Sequence, residues 1–569
     1  MDRVRQLLEH VSFQDWSWER SVTAVISLSL LLFLLASSLR KSEVVIDQTT
    51  GKELKRPPTL PYSLPILGHS IWFLRDGHQL MLAAAAYMGR LVPIRVAFPG
   101  FTNYIISGPE SVLSYFRESR GLSTTSRSLI VVENAFGCPH HLVHLFQPQT
   151  SQNEGPSDIE HAIHRAVQTG LTGPALDTLS SRFQIYLRER IQEDLSSDIG
   201  SNWIEHPDFN GWVEKRVFEA AVRSLFGDYI LTVNPTLADD FWHFNLYIGA
   251  LFMGAPKWWN PAAYRAREKM VSNLKRWQDF CRECCDVNTI GEDLEWEPFY
   301  GSKFIRERQI LLTRRGIMDE TARAAENFAF MWATNSNSVP AAVWCALEIL
   351  QDTTLKEKVI SILPSLTAAV TPEDNTAPLI PNFSIPSLTS NPLLQSIYAE
   401  TLRLRVAVII VRQPSKPNFS FRGWHIKQDE VLSISTRTEA LDSEIWSTGT
   451  TETPRPLDTF WAERFLVNPN DADSGPVRAR KDRKRTDSEP YFSLDGLAGS
   501  WIPYGGGKSF CPGRHFAKRE ILATAAVVLG TFEIELLGGK ERPDGNMRYF
   551  GFGTMPLDKK VAFRVRRRV

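Results

Sequence analysis

Trp501-Ile-Pro-Tyr-Gly-Gly-Gly-Lys-Ser-Phe-Cys-Pro-Gly-Arg-His-Phe-Ala517 is the stretch on which the reading of this chain turns. Three successive glycines, Gly505 to Gly507, permit backbone turns closed to other residues. Cys511 follows, and a helix is expected to start after Pro512-Gly513. A thiol on a glycine-rich loop at a helix N-terminus should have a lowered pKa, because the helix dipole and nearby amides favour the thiolate. Backbone N–H groups aimed at the sulfur would tune a bound metal. A lone cysteine does not make a zinc site, which takes about four ligands. One axial thiolate suits haem iron, so Cys511 is the candidate iron ligand.

This loop resembles the haem-binding loop of the cytochrome P450 superfamily, Phe-x-x-Gly-x-x-x-Cys-x-Gly. Gly507, Cys511 and Gly513 match it, and Tyr504 stands at the Phe position. Ser509 stands where the family commonly has an Arg or His facing a haem propionate, so that contact does not carry over. The resemblance implies haem b as cofactor, with Cys511, Tyr504, Gly507 and Gly513 around it. Glu400-Thr-Leu-Arg403 places two charges on one helix face by its i,i+3 spacing. Beside the cysteine loop it resembles the family's Glu-x-x-Arg helix, and Phe460-Trp-Ala-Glu-Arg464-Phe465 resembles the segment that adds a third member, Arg464. Their implied role is a buried charge network supporting the loop. His161 and Arg165 sit four apart on one predicted helix face. They match the family's aromatic-x-x-x-Arg propionate pair, and a solvated face accounts for them as well. Arg412 matches another propionate-binding position.

Phe328 to Trp344 reads as an apolar helix interrupted by small polar residues. Pro340 has no N–H for the carbonyl of Ser336, which opens a groove where polar side chains could order water. The superfamily usually has an acid–alcohol pair here; this chain has Ser336 at the acid position and Asn337 at the alcohol position. Ser336 and Asn337 are therefore the candidate catalytic residues on the oxygen side. Neither is a useful acid at neutral pH, and both hold water by hydrogen bonds, so proton delivery is expected through water positioned by Asn337. The pattern Ala-x-x-x-Asn-x-x-Pro-Ala with a following Trp resembles the branch of cholesterol 7α-hydroxylase, sterol 12α-hydroxylase and prostacyclin synthase, and suggests a fungal biosynthetic member.

Composition sets the outer bounds. The chain has 569 residues, 43% of them hydrophobic and 22% charged, a globular composition. Lys plus Arg and Asp plus Glu both number 64, so no global basic field argues for nucleic acid as a partner. Six cysteines do not form a disulfide framework in a chain of this length. Ser21 to Leu39 carries no charge and is long enough, at ~1.5 Å per residue, to come close to spanning a ~30 Å hydrocarbon core. More Lys and Arg follow this run than precede it, which leaves the body in the cytosol.

Along the body, Pro57, Pro58, Pro61 and Pro65 suit a stiff strap, and Leu91 to Ser107 reads as a hairpin around Pro99-Gly100. Glu214 to Phe226, Tyr264 to Phe280 and Pro392 to Arg405 read as helices, Val406 to Val411 and Phe532 to Leu536 as strands, and Pro364 to Pro392 as a loop. Pocket walls are expected from Ile130 to Phe136, Phe244 to Met253, Phe330 to Thr334 and Phe550 to Met555. Cys138, His140, His141 and His144 look metal-like, as do Cys281, Cys284 and Cys285, but a roofing loop and core thiols explain the two groups better.

The expected architecture is mainly α with small β-sheets, a cytochrome P450 fold preceded by one N-terminal transmembrane helix. Its parts are a lumenal leader at 1–20, the anchor at 21–39, a basic and Pro-rich linker at 40–69 and a haem-thiolate domain at 70–569. The implied function is oxidation of a bulky apolar small molecule with O2 and electrons from NADPH through NADPH–cytochrome P450 reductase, at the endoplasmic reticulum membrane. Asn337 leaves open a haem-thiolate isomerase or dehydratase that needs no reductase, and a haem-binding protein without turnover.

Overall fold

Ser338–Gln351 shows why the larger part of the chain folds as it does. Every residue from Ser338 to Leu350 is buried, and a helix apolar on all sides belongs in the middle of a core. It packs against Arg514–Thr531, Pro392–Arg405 and Phe209–Phe226. Its one charged residue, Glu348, accepts from Arg405 at 2.5 Å, and that guanidinium lies 3.5 Å over the Trp344 ring. The computed structural model describes residues 53–568 apart from 62, 65, 119, 124, 147–157, 292, 315–317, 369–379, 418, 479–488 and 539–541; before residue 53 it describes Val25, Ser27, Leu28 and Val44–Ile46.

Two units emerge. One comprises the described residues of Ser107–Gln413 and Ser433–Val569. Its helices start where the sequence caps them. Asp208, Asn260, Asp319, Asp352 and Asn391 each accept the amide three residues on, and proline follows Asn260 and Asn391 at the first helical position. Phe532–Leu537 pairs antiparallel with Ala562–Arg567, which in turn pairs with Ile204–His206. Val406–Pro414 pairs antiparallel with Phe552–Thr554, with Thr554 opposite Val406.

The other unit comprises the described residues up to Ile106 with Pro414–Leu432. The hairpin Ile94–Phe98 and Phe101–Ile105 closes at Pro99-Gly100 as expected. Arg56 pairs with Glu430, and the buried Tyr104 hydroxyl donates to Glu430 at 3.0 Å. Burial first, and the Glu430 charge second, push that phenol far above its ordinary range.

The expected helices and strands lie at Phe209–Phe226, Pro261–Cys284, Pro392–Arg405, Val406–Pro414 and Phe532–Leu537. The expected loop from Pro364 to Pro392 is corrected in part: Ile385–Ser390 is helical, because Ser384 caps it through the Ser387 amide and Pro386 suits its first turn. Among the described residues no helix is long and apolar enough to cross a membrane. The expected leader and nearly all of the Ser21 to Leu39 span lie outside the described residues.

Candidate active site

The cysteine loop is held by close backbone approach. Gly507 has φ +67, and a Cβ there would lie 2.5 Å from the Phe116 carbonyl oxygen. At Gly506 an added Cβ would sit 2.6 Å from the Phe116 ring. The Cys511 amide donates to the Tyr504 carbonyl at 3.1 Å, closing the loop before Arg514–Thr531 begins. Burial pushes the Cys511 thiol up; the amides of Gly513 and Arg514 and the Arg514 charge pull it down without winning. The lowered pKa expected from the helix end is therefore corrected: desolvation outweighs the dipole until a cation faces the sulfur. A coordinating metal would deprotonate such a thiol outright.

The loop rests on a buried ionic frame. Glu400, Arg403 and Arg464 have fully buried side chains. Arg403 forks onto Glu400 at 2.6 and 2.9 Å, and Arg464 Nε donates to Glu400 Oε1 at 2.9 Å. The remaining guanidinium N–H groups reach the carbonyls of Ala440, Ser447 and Pro456. Burial alone would raise the Glu400 carboxyl, but Arg403 and then Arg464 bring it below its ordinary value. Two further bonds tie this helix to the cysteine loop: Trp501 Nε1 donates to the Ala399 carbonyl at 3.1 Å, and the hydroxyls of Tyr504 and Tyr398 meet at 2.6 Å.

Cys511 opens on a cavity of about 510 Å³. Its apolar wall includes Val167, Leu171, Phe330, Ala333, Ala341 and Val408, and its polar groups include Thr334, Asn337, Ser338, Ser509, Glu520 and Arg412. The Arg412 guanidinium is buried and donates to the carbonyls of Tyr115 and Gly506, each at 3.2 Å. Among the described residues it has no carboxylate partner in an ion pair. A sulfur ligand, an apolar slot and a buried cation awaiting an acid group fit a haem with its propionates.

Other candidates fall differently. Tyr504 and Gly513 line the cavity with Cys511, while Gly507 packs on Phe116. Arg165 is exposed on Asp158–Gly170, whose cavity-facing residue is Val167, so it is not brought to the site; the His161 side chain lies outside the described residues. The expected groove is present as a break: one helix ends at Asn335 and the next begins at Ser338. Ser336 is buried away from the cavity wall. Asn337 is on the wall, but its Oδ1 accepts from the Thr554 amide at 2.8 Å and its Nδ2 donates to Ser336 Oγ at 3.3 Å. One lone pair of that oxygen is thus taken by the strand Phe552–Thr554, and a Cβ on Gly553 would lie 2.2 Å from it.

Two expected walls, Phe330 to Thr334 and Phe550 to Met555, contribute Phe330, Ala333, Thr334 and Thr554. The other two do not line the cavity: Phe136, Phe244 and Phe252 pack edge-on or tilted against Phe328, Trp332 and Phe552, and Ile130 is exposed. Among the described residues no cluster of three or more metal-ligating side chains forms. His140 pairs with Glu133, and the Cys281 thiol donates to the Phe299 carbonyl. Glu520 escaped the reading of the sequence, although a signal was present: it shares the i, i+3, i+4 stripe of Phe516, Ala523, Thr524 and Val527, a carboxylate on a buried face.

Comparison with known proteins agrees with this geometry. The sequence profile of the Cytochrome P450 family matches residues 316–563. The chain is 50% identical over 521 residues to the cytochrome P450 monooxygenase fsoE of Humicola fuscoatra, covering 91% of this chain and 88% of that one. It is 45% identical over 553 residues to the cytochrome P450 monooxygenase efuG of Hormonema carpetanum, 96% of each. It is 25% identical over 412 residues to the cholesterol 7-alpha-monooxygenase of Cricetulus griseus, 69% of this chain and 73% of that one. Identity of this extent along nearly the whole length means that the chain belongs to the cytochrome P450 superfamily, as an oxidoreductase of the monooxygenase kind whose family cofactor is a haem iron.

Proposed function

We propose that this enzyme hydroxylates, or otherwise oxidises, a bulky apolar small molecule such as a sterol, a terpenoid or another secondary metabolite. The observation that carries this reading is the cavity's lining: besides Cys511 and the groups that suit a haem, Phe330, Ala333, Ala341 and Val408 present an apolar face. The cofactor is haem b, with Cys511 as the iron ligand and Arg412 holding a propionate. When bound, it supplies the activation of dioxygen with electrons from NADPH through NADPH–cytochrome P450 reductase. The chain's own residues shape the outcome. The apolar wall excludes water and chooses the carbon, the Glu400–Arg403–Arg464 frame fixes the cysteine loop, and the hydroxyls of Thr334 and Ser338 mark the polar side of the cavity.

In this reading residues 21–39 anchor the enzyme in the endoplasmic reticulum membrane, after a lumenal leader at 1–20. The linker at 40–69 then leads to a cytosolic catalytic domain at 70–569. Metabolite comparison after deletion of the gene tests the substrate class: an apolar precursor should accumulate and its oxidised product disappear. Accumulation of an unchanged product set would reject it. Asn337 at the alcohol position supports a second reading, an isomerase or dehydratase. Product formed without NADPH, reductase or added peroxide would select that reading.

A further inference from the structure

The strand Phe552–Thr554 meets the cavity through one of its faces. Thr554 lines the cavity and stands opposite Val406, and Phe552 stands opposite Val408. Val406 and Val408 are lining residues as well. Side chains two apart on a strand share a face, so Phe552 belongs to the cavity side. Phe552 itself is not one of the lining residues. Its ring leans toward the helix Ile248–Phe252, where a Cβ added to Gly249 would lie 2.8 Å from Cε2 and 3.2 Å from Cζ of that ring.

Gly249 has no backbone reason to be glycine. Its φ lies outside the left-handed region, and glycine inside a helix is less stable than alanine. What position 249 provides is room: the tip of the Phe552 ring takes the space of a side chain there. The ring has little other space to use. Phe252 meets it edge-on with centroids 5.9 Å apart, and Phe252 is backed by Trp332 at 5.2 Å. Trp332 is fixed in turn, because its Nε1 donates to Asn245 Oδ1 at 3.0 Å. Nor can the strand carry the ring away. The Gly551 amide donates to the Ala407 carbonyl at 2.7 Å, the Ile409 amide to the Gly551 carbonyl at 3.1 Å, and the Thr554 amide to Asn337 Oδ1 at 2.8 Å. A ring pushed off Gly249 therefore turns toward the cavity.

We propose that Gly249 and Phe552 are a matched pair that sets the size limit for the substrate. Phe552 is the contact, and Gly249 is the positioning residue that lets its ring stand back. The inference rests on the reading of a bulky apolar substrate and adds where that bulk is accommodated. Phe552, Phe252, Trp332 and Val408 carry no charge, so the part of the substrate that meets this corner is an uncharged hydrocarbon surface.

Binding of two azoles measures this room without the native substrate or the reductase. Imidazole and clotrimazole, an imidazole that carries a triarylmethyl group, each place a ring nitrogen on the iron of the haem-loaded full-length protein and shift its absorption band. They differ in bulk and not in the bond they make. Gly249→Ala should raise the Kd of clotrimazole about tenfold or more, the scale of one overpacked methyl, and leave that of imidazole within about twofold. Adding Phe552→Ala should return clotrimazole to near the wild-type affinity. Phe552→Trp, with Gly249 kept, should weaken clotrimazole as Gly249→Ala does, and it gives the answer alone where Gly249→Ala loses its haem. An unchanged clotrimazole Kd in Gly249→Ala or in Phe552→Trp overturns the proposal. Equal weakening of both azoles overturns it too, as does a double variant no better than Gly249→Ala. A wild type that takes imidazole, refuses clotrimazole and gains it on Phe552→Ala contradicts the bulky-substrate reading instead and supports the size limit, so the two failures are told apart.

Discussion

At the scale of single residues, placement at the cavity was legible where a side chain has one evident use. Cys511 between Gly507 and Gly513 is such a case, and so is Arg412, which reaches the cavity and meets two carbonyls and no carboxylate among the described residues. Polar residues with several uses were not legible. Asn337 reads as a water-holder from its neighbours in sequence, yet its partner is the amide of Thr554, 217 residues away. Glu520 reads as an ordinary helix charge until the fold turns it inward. These contacts are long-range, and helical spacing alone does not encode them. Asn337→Ala should leave the Thr554 amide without its acceptor and cost about 1–3 kcal/mol of stability, the usual penalty for an orphaned buried group. Equilibrium denaturation of the haem-loaded protein measures it. Full stability, with electrons diverted to peroxide, would return Asn337 to a water-positioning role.

Elements were more legible than residues, because caps and periodicity are local. Asn391-Pro392 starts its helix where the sequence says, and Val406 begins the strand directly after Arg405. The break at Ser336-Asn337 follows from Pro340, but the strand that exploits it, Phe552–Thr554, is too short to announce itself. Likewise, aromatic stretches such as Phe244 to Met253 looked like pocket wall because an aromatic stripe reads alike whether it faces a ligand or other rings. The cysteine loop depends on the seat its glycines find against Phe116. Gly506→Ala puts a methyl where the Phe116 ring now lies, and Phe116 is buried with little room to withdraw. Overpacking of this kind should cost about 1–3 kcal/mol. We expect a lower melting temperature and partial haem loss on gel filtration; full haem retention and unchanged melting would mean that the loop has slack.

On the scale of the whole molecule, composition excluded a disulfide scaffold and gave no support to a nucleic-acid binder, and the cysteine loop named the superfamily that the relatives then bore out. The anchor was read from an uncharged run and stands as a proposal. Deleting residues 1–41 should weaken membrane association in sedimentation of microsomes without loss of haem, whereas undiminished pelleting would place the anchoring elsewhere. The central claim is that one sulfur, Cys511, holds a haem iron in this cavity. It is tested most directly by the carbon monoxide difference spectrum of the reduced full-length protein and of Cys511→Ala. The account predicts the red-shifted band of thiolate ligation in the wild type and its absence in the variant. A Cys511→Ala protein that keeps that band would contradict it.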